Sequence, residues 1–170
     1  MSTIDEPREP PGRGLRNRLG AMFFAGTLVF LFTTIGVALL SGENPAADPD
    51  NARQVALGKA VYDRNCASCH GTRLEGQADW QTKLPNGRMP APPHDASGHT
   101  WHHPDALLFG MTKHGLVAGK YAPPGYQSDM PAYAGTLTDE EIWAVLAYIK
   151  SSWPREIRNA QQNVNARNRP

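Results

Sequence analysis

The longest apolar stretch of the chain is residues 19–40, LGAMFFAGTLVFLFTTIGVALL, which contain no charged side chain. At a rise of about 1.5 Å per residue, a helix of this length covers about 33 Å and can cross the hydrocarbon core of a bilayer. A cleaved signal peptide is the alternative, but its apolar region usually has only about 7–15 residues. The pattern therefore predicts a single transmembrane helix that remains part of the protein.

The flanks of this segment differ in charge. The preceding residues are basic and include Arg8, Arg13, Arg16 and Arg18. The residues that follow are acidic at Glu43, Asp48 and Asp50, and the first basic side chain is Arg53. Because positive residues stay on the cytoplasmic side of a membrane, we expect a cytoplasmic N-terminus and a periplasmic C-terminal part, in a single-pass protein of the bacterial inner membrane.

Five segments follow from this pattern. Residues 1–18 are the cytoplasmic basic segment and residues 19–40 the membrane anchor. Residues 41–50, SGENPAADPD, are small and polar and predict a tether. Residues 51–153 form the folded domain. Residues 154–170 are a polar C-terminal tail, which we expect to be a frayed helix or disordered.

Three helices are predicted in the folded domain. They run from about Asn51 to Asn65, from Pro104 to Gly115, and from Thr138 to near Trp153. Asp50 or Asn51 is a favoured N-cap for the first, and Thr138 with Glu141 forms a capping box for the third. Valine- and isoleucine-rich alternation is lacking, so the predicted fold class is all-α, with about three to four short helices.

Composition narrows the function. The 15 prolines and 16 glycines lie mostly between residues 71 and 135 and predict long loops. A net charge of +1 gives no case for nucleic-acid binding. Three short helices around such loops make a thin core, which a large buried cofactor would help to fill.

Both cysteines lie in one motif, RNCASCHG, at residues 64–71. Cys66, Cys69 and His70 form C-x-x-C-H, the pattern of covalent haem attachment, in which two thiols form thioethers and the adjacent histidine reaches the iron. A zinc site, a redox-active dithiol and a plain disulfide are the alternatives. The nearest further histidine, His94, is too distant for usual zinc-finger spacing, and no βαβ pattern surrounds the motif. One covalent haem c is therefore the predicted cofactor.

A methionine is the usual second axial ligand of the haem iron in electron-transfer proteins. In the predicted folded domain the candidates are Met89, Met111 and Met130. Met111 lies within a predicted helix, and Met89 lies close to His70 in the chain. Met130 follows a Gly/Pro loop and precedes the last helix, so its loop can approach the iron from the face opposite His70. Met130 is favoured, and Met89, a histidine or an open position remain alternatives.

The stretches GKAVYDRNCASCHG and MPAYAGTLTDEEIWAVLAYI resemble the haem-binding helix and the methionine loop with last helix of the class I (mono-haem) cytochromes c. The chain thus resembles a membrane-anchored member of that family over residues 51–152. The resemblance implies that Cys66 and Cys69 carry the haem and that His70 and Met130 bind its iron. It also implies that Tyr133 packs beside the haem.

The resemblance further implies a crossing of the first and last helices through a small and an aromatic residue on each. Gly58 with Tyr62, and Val145 with Tyr148, match these positions. In the family a proline carbonyl accepts a hydrogen bond from the iron-binding histidine. The sequence leaves four candidates for it: Pro85, Pro90, Pro92 and Pro93.

A histidine-rich segment departs from the family pattern, with His94, His99, His102 and His103. One hypothesis is a second metal site, such as copper, which imidazole suits. The favoured interpretation is structural: Trp101 and a histidine donate hydrogen bonds to the haem propionates.

These observations predict an electron-transfer protein rather than an enzyme, with no small-molecule substrate. Its expected partners are a redox donor and an acceptor in the same membrane. A dedicated cytochrome subunit of a periplasmic dehydrogenase or oxidase complex is the alternative. A gas-binding or enzymatic haem protein is a third possibility, and it requires that Met130 is not a ligand.

Overall fold

The computed structural model describes residues 46–168, which contain five α-helices and no β-strand. The helices are α1 (Ala52–Asn65), α2 (Ala67–His70), α3 (Asp105–His114), α4 (Asp139–Ser151) and α5 (Arg155–Arg167). A short 3₁₀ turn, Thr100–His102, precedes α3. Long loops join the helices. Because all the regular elements of residues 46–168 are helical, the predicted all-α class is confirmed for this part of the chain.

The predicted anchor, residues 19–40, lies outside the described residues. Between residues 46 and 168, no helix is both long and apolar enough to cross a bilayer. The end of the predicted tether is described and belongs to the folded domain. Ala47 is buried against Leu108, Leu146 and Ala147, and the Gln54 side-chain amide donates to the Ala46 carbonyl at 2.9 Å.

Local signals at the helix ends explain where α1 and α4 begin. The Asn51 side chain accepts a hydrogen bond from the Gln54 backbone N–H at the start of α1. Thr138 and Glu141 form the predicted capping box of α4, with each side chain bonded to the other residue's backbone N–H. Both arrangements satisfy N–H groups that a helix leaves unpaired in its first turn.

Helices α1 and α4 pack closely where Gly58 faces Ala144 and Tyr148. A Cβ at Gly58 would overlap the Ala144 carbonyl group, so only glycine allows this approach. The Tyr62 and Tyr148 rings lie 5.3 Å apart beside the contact. The resemblance implied that Val145 lies at the crossing. In the structure Ala144 contacts Gly58 instead. The Val145 side chain packs in the core and lines the cavity described below.

The C-terminal tail forms a helix, α5, that packs on the domain. The buried Gln161 side chain donates to the Asp105 carboxylate at 2.7 Å. Asn165 accepts from the Asp105 backbone N–H, also at 2.7 Å. Disorder was one of the two expectations for this tail, and it is wrong for Arg155–Arg167 because polar contacts distant in sequence fix the helix to the start of α3.

Candidate haem site

A cavity of about 330 Å³ lies between α1, α2, α3, α4 and the long loops. This volume is within the range of about 300–1,000 Å³ that is usual for ligand sites. Most of the lining is apolar. The C-x-x-C-H residues and the three candidate methionines all line the cavity: Cys66, Cys69, His70, Met89, Met111 and Met130.

The C-x-x-C-H motif occupies the junction of α1 and α2. Cys66 ends α1, where its N–H donates to the Tyr62 carbonyl at 2.8 Å. It also begins α2, because the N–H groups of Cys69 and His70 both donate to the Cys66 carbonyl. This single turn brings both thiols and the imidazole to one cavity wall.

The two cysteines are not joined by a disulfide. Burial raises the pKa of the Cys66 thiol to about 11, with a smaller contribution from the neighbouring Cys69. A redox-active dithiol needs the opposite shift, since the thiolate is its reactive form. The burial of Cys66 therefore does not favour the redox-active dithiol.

A single hydrogen bond orients the proximal histidine. The His70 ring is buried, and its Nδ1 lies 2.9 Å from the Pro92 carbonyl oxygen. A carbonyl can only accept, so Nδ1 carries the proton and Nε2 keeps its lone pair for a metal. Burial lowers the pKa of His70, against a smaller opposing effect of the Pro92 bond. Of the four candidate prolines, Pro92 is thus the one whose carbonyl meets His70.

The loop that carries Met130 is fixed on both sides. The Met130 N–H donates to the Ser128 hydroxyl at 3.0 Å. Beyond it, the Tyr133 N–H donates to the Thr112 carbonyl at 3.1 Å, and the Tyr133 hydroxyl donates to the Asn65 carbonyl at 2.6 Å. The Met130 thioether lines the same cavity as His70. Met89 and Met111 also line it, so the choice of Met130 as second ligand stays a prediction.

The two aromatic side chains predicted beside the haem differ in position. Tyr133 lines the cavity, and burial raises the pKa of its hydroxyl. Trp101 does not line the cavity but stacks on His102, with ring centroids 3.6 Å apart. The Trp101 Nε1–H is buried and has no acceptor among the described residues. A propionate bond from Trp101 stays a prediction.

The histidine-rich segment surrounds part of the cavity. His94, His99 and His103 line it, and His102 is exposed. The His94 ring stacks on the His70 ring at 4.1 Å, and its Nδ1 lies 2.9 Å from the Thr100 hydroxyl. Between residues 46 and 168 no three His, Cys, Asp or Glu side chains are grouped so as to bind a metal ion. The copper hypothesis stays a prediction.

Several residues that shape the site carried no sequence signal. The carbonyls of Asn65 and Thr112, which position Tyr133, are backbone groups that any residue supplies. His94 stacks on His70, but the two residues are distant in sequence and His94 lies in a loop, so no local pattern indicates the contact. Leu74, whose carbonyl accepts from the His94 N–H, has a left-handed φ of 68° that a leucine rarely adopts.

The donor set fits a covalently attached haem. Two thiols adjoin a neutral imidazole with an available Nε2, thioethers line the same cavity, and the lining is apolar. Cys66 and Cys69 would form the thioethers, and His70 would bind the iron. Fold and site together define a haem protein of the c type, with one covalent haem c.

Comparison with known proteins agrees. The Cytochrome c family model matches residues 55–153, and the chain belongs to the cytochrome c family. It is 31% identical over 115 residues to cytochrome c6 of Thermosynechococcus vestitus, covering 68% of this chain and 82% of that protein.

Two further relatives are similar. Cytochrome c-555 of Prosthecochloris aestuarii is 29% identical over 103 residues, covering 56% of this chain and 84% of the relative. Cytochrome c6 of Tetradesmus obliquus is 32% identical over 95 residues, with 56% and 86% covered. No solved structure matches significantly. Family membership makes this chain an electron-transfer protein.

Proposed function

We propose that this chain is a membrane-anchored, mono-haem cytochrome that carries single electrons between redox proteins at the periplasmic face of a bacterial inner membrane. The observation that supports it most is that His70 and Met130 reach one cavity together with both attachment cysteines. When bound, the haem supplies a one-electron iron couple. His70 and Met130 would both bind the iron, so that no iron position stays open for a substrate.

The fixed loop of Met130 favours this function over gas binding. Hydrogen bonds on both sides of Met130 reduce the freedom of its loop to move away from the cavity. A pre-positioned thioether competes better with an external ligand, because less conformational entropy is lost when it binds.

A visible spectrum of the ferric protein tests the ligand set. Methionine bound to ferric haem gives a weak long-wavelength charge-transfer band. We expect this band in the wild type and in the Met89→Leu and Met111→Leu variants, and its loss in Met130→Leu. Leucine keeps the volume of methionine but lacks sulfur. A band that survives in Met130→Leu and disappears in Met89→Leu would assign the ligand to Met89.

The proposed location rests on residues 19–40 and their basic N-terminal flank. A membrane tether raises the effective concentration of the haem domain near donor and acceptor in the same membrane, without new contacts. Cell fractionation with alkaline carbonate washing tests this. Retention of the full-length protein in the membrane is expected, whereas release of a protein that begins after residue 40 would show a cleaved signal.

Helix α5 favours one alternative, a dedicated cytochrome subunit of a periplasmic dehydrogenase or oxidase complex. The helix lies beyond the family-matched residues 55–153 and is folded onto the domain. Its exposed side could then contact a partner subunit. Native gel electrophoresis of gently solubilised membranes separates the two functions: the carrier migrates alone, and the subunit comigrates with a larger complex.

A further inference from the structure

Two loops on the cavity contact each other just before Met130. Residues 84–89, LPNGRM, form a tight turn in which the Leu84 N–H donates to the Arg88 carbonyl at 2.9 Å. The Met89 N–H then donates to the Gln127 carbonyl, also at 2.9 Å, and Met89 forms an isolated bridge with Ser128. The turn therefore lies directly against the residues that lead into Met130.

Arg88 makes the side-chain contacts between these loops. One of its guanidinium nitrogens, Nη1, donates to the Ser128 carbonyl at 2.7 Å. The same nitrogen lies 2.9 Å from the Asp129 carboxylate. Ser128 in turn accepts from the Met130 N–H through its hydroxyl. The cation thus contacts two consecutive residues immediately before the predicted ligand.

We propose that Arg88 is a positioning residue that keeps the Met130 thioether at the haem iron. The inference rests on the proposed function, because it takes Met130 as the second ligand. On the C-terminal side, the Tyr133 bonds to Thr112 and Asn65 fix the loop. On the N-terminal side, Arg88 joins residues 40 or more positions away in sequence. Among residues 46–168, the other hydrogen bonds on that side are the backbone contact of Met89 and the local Ser128 bond.

The carbonyl contact contributes more than the ion pair. The Arg88 and Asp129 side chains are 42% and 68% exposed, so water weakens their attraction. A charge-assisted hydrogen bond to a partly buried carbonyl is stronger than a neutral one and directional. Lysine would keep the charge, but its flexible ammonium lacks the rigid planar geometry that directs Nη1 to the Ser128 carbonyl.

Imidazole titration of the ferric holoprotein measures this contribution. At pH 8 imidazole is mostly uncharged, so a change in the charge of the protein has little direct effect on its binding. It can replace Met130 only when the loop moves away from the iron. The readout is the half-saturating imidazole concentration for loss of the methionine–iron band. We expect Arg88→Gln to lower this concentration about threefold to tenfold, as loss of one partly solvent-exposed hydrogen bond implies.

Three variants give the controls. Arg88→Lys should recover part of the wild-type value, and Asp129→Asn, which keeps the carbonyl contact, should shift it less than Arg88→Gln does. Arg158→Gln is the matched control, because Arg158 forms a similar guanidinium–carboxylate pair with Asp50 at 2.8 Å, outside these loops. Arg158→Gln should leave the half-saturating concentration unchanged.

The outcomes separate the two proposals. A wild type without the methionine–iron band overturns the proposed ligand set, and this inference with it. A wild type with the band, and an Arg88→Gln variant with the same half-saturating concentration, overturns the role of Arg88 alone. An equal shift in Arg88→Gln and Arg158→Gln also overturns it, since the effect would then be one of general charge.

Discussion

The site depends first on single residues whose contacts leave little freedom. His70 combines a fixed tautomer with burial, because the Pro92 carbonyl accepts from Nδ1 and leaves Nε2 for the iron. The His94 ring lies against it at 4.1 Å and fills the space beside the imidazole. Gly58 is equally constrained, because a side chain at this position would prevent the close approach of α1 to α4.

Gly58→Ala should destabilise the domain strongly. The added methyl group would overlap the Ala144 carbonyl, and backbone cannot move aside as a side chain can. We expect a loss of about 3 kcal/mol in the free energy of unfolding, at the upper end of the usual cost of overpacking. Guanidinium denaturation followed by circular dichroism measures it. Gly135→Ala is the control, because nothing lies within 4 Å of a Cβ at that position, and equal losses would contradict the close-approach argument.

The histidine-rich segment should make stability depend on pH. Partial burial lowers the pKa of His99 and His103 below the ordinary value of 6.5, and neighbouring histidines lower it further. Below pH 6.5 the unfolded chain therefore binds more protons than the folded one, so stability falls as the pH falls. The free energy of unfolding should decrease from pH 7.5 to pH 5.5.

A double variant tests this origin of the pH dependence. His99→Gln combined with His103→Gln removes two of the histidines with a lowered pKa, so the free energy of unfolding of this variant should change less than that of the wild type over the same interval. His114→Gln is the control for a histidine-to-glutamine change outside this segment. Parallel curves for the wild type and the double variant would assign the pH dependence to other groups.

At the scale of elements, helix ends set by local patterns were predictable from the sequence, whereas packing set by distant contacts was not. The capping box of α4 and the N-cap of α1 involve residues three positions apart, so the sequence predicted them. The position of α5 depends on bonds from Gln161 and Asn165 to Asp105, separated by 56 and 60 residues. Their polar side chains look in sequence like a solvated tail. A helix was one of the two expectations for this tail, but its packing on the domain was not predictable, because the contacts join residues distant in sequence.

Asp105→Ala should disrupt the contact of α5 with the rest of the domain. The Asp105 carboxylate pairs with the buried Lys150 ammonium at 2.7 Å and accepts from both α5 amides. Removing it leaves a buried cation without its partner, so we expect a loss of about 3 kcal/mol in the free energy of unfolding. Chemical denaturation measures the loss.

Asp63→Ala is the matched control for Asp105→Ala. Asp63 forms an equally short ion pair with Lys59 on the exposed side of α1. Because water screens exposed pairs, this variant should unfold at nearly the wild-type denaturant concentration. If the two variants unfold alike, the Asp105 network does not stabilise the attachment of α5.

At the scale of the whole molecule, the class of protein was predictable because its chemistry is concentrated in one string. Cys66, Cys69 and His70 are adjacent in sequence and in space, so the motif alone indicated haem. Pro92 was one of four candidates until the folded loop placed its carbonyl at 2.9 Å from His70. The contacts of Arg88 had no local pattern at all, because they join two irregular loops.

Binding of carbon monoxide to the reduced full-length protein tests the central claim most directly. Carbon monoxide needs an open iron position, and ligation by both His70 and Met130 leaves none. We predict no change in the visible spectrum within the mixing time of a stopped-flow instrument. Immediate formation of a carbon monoxide adduct in the wild type would contradict the account, because the iron would then be open to small molecules.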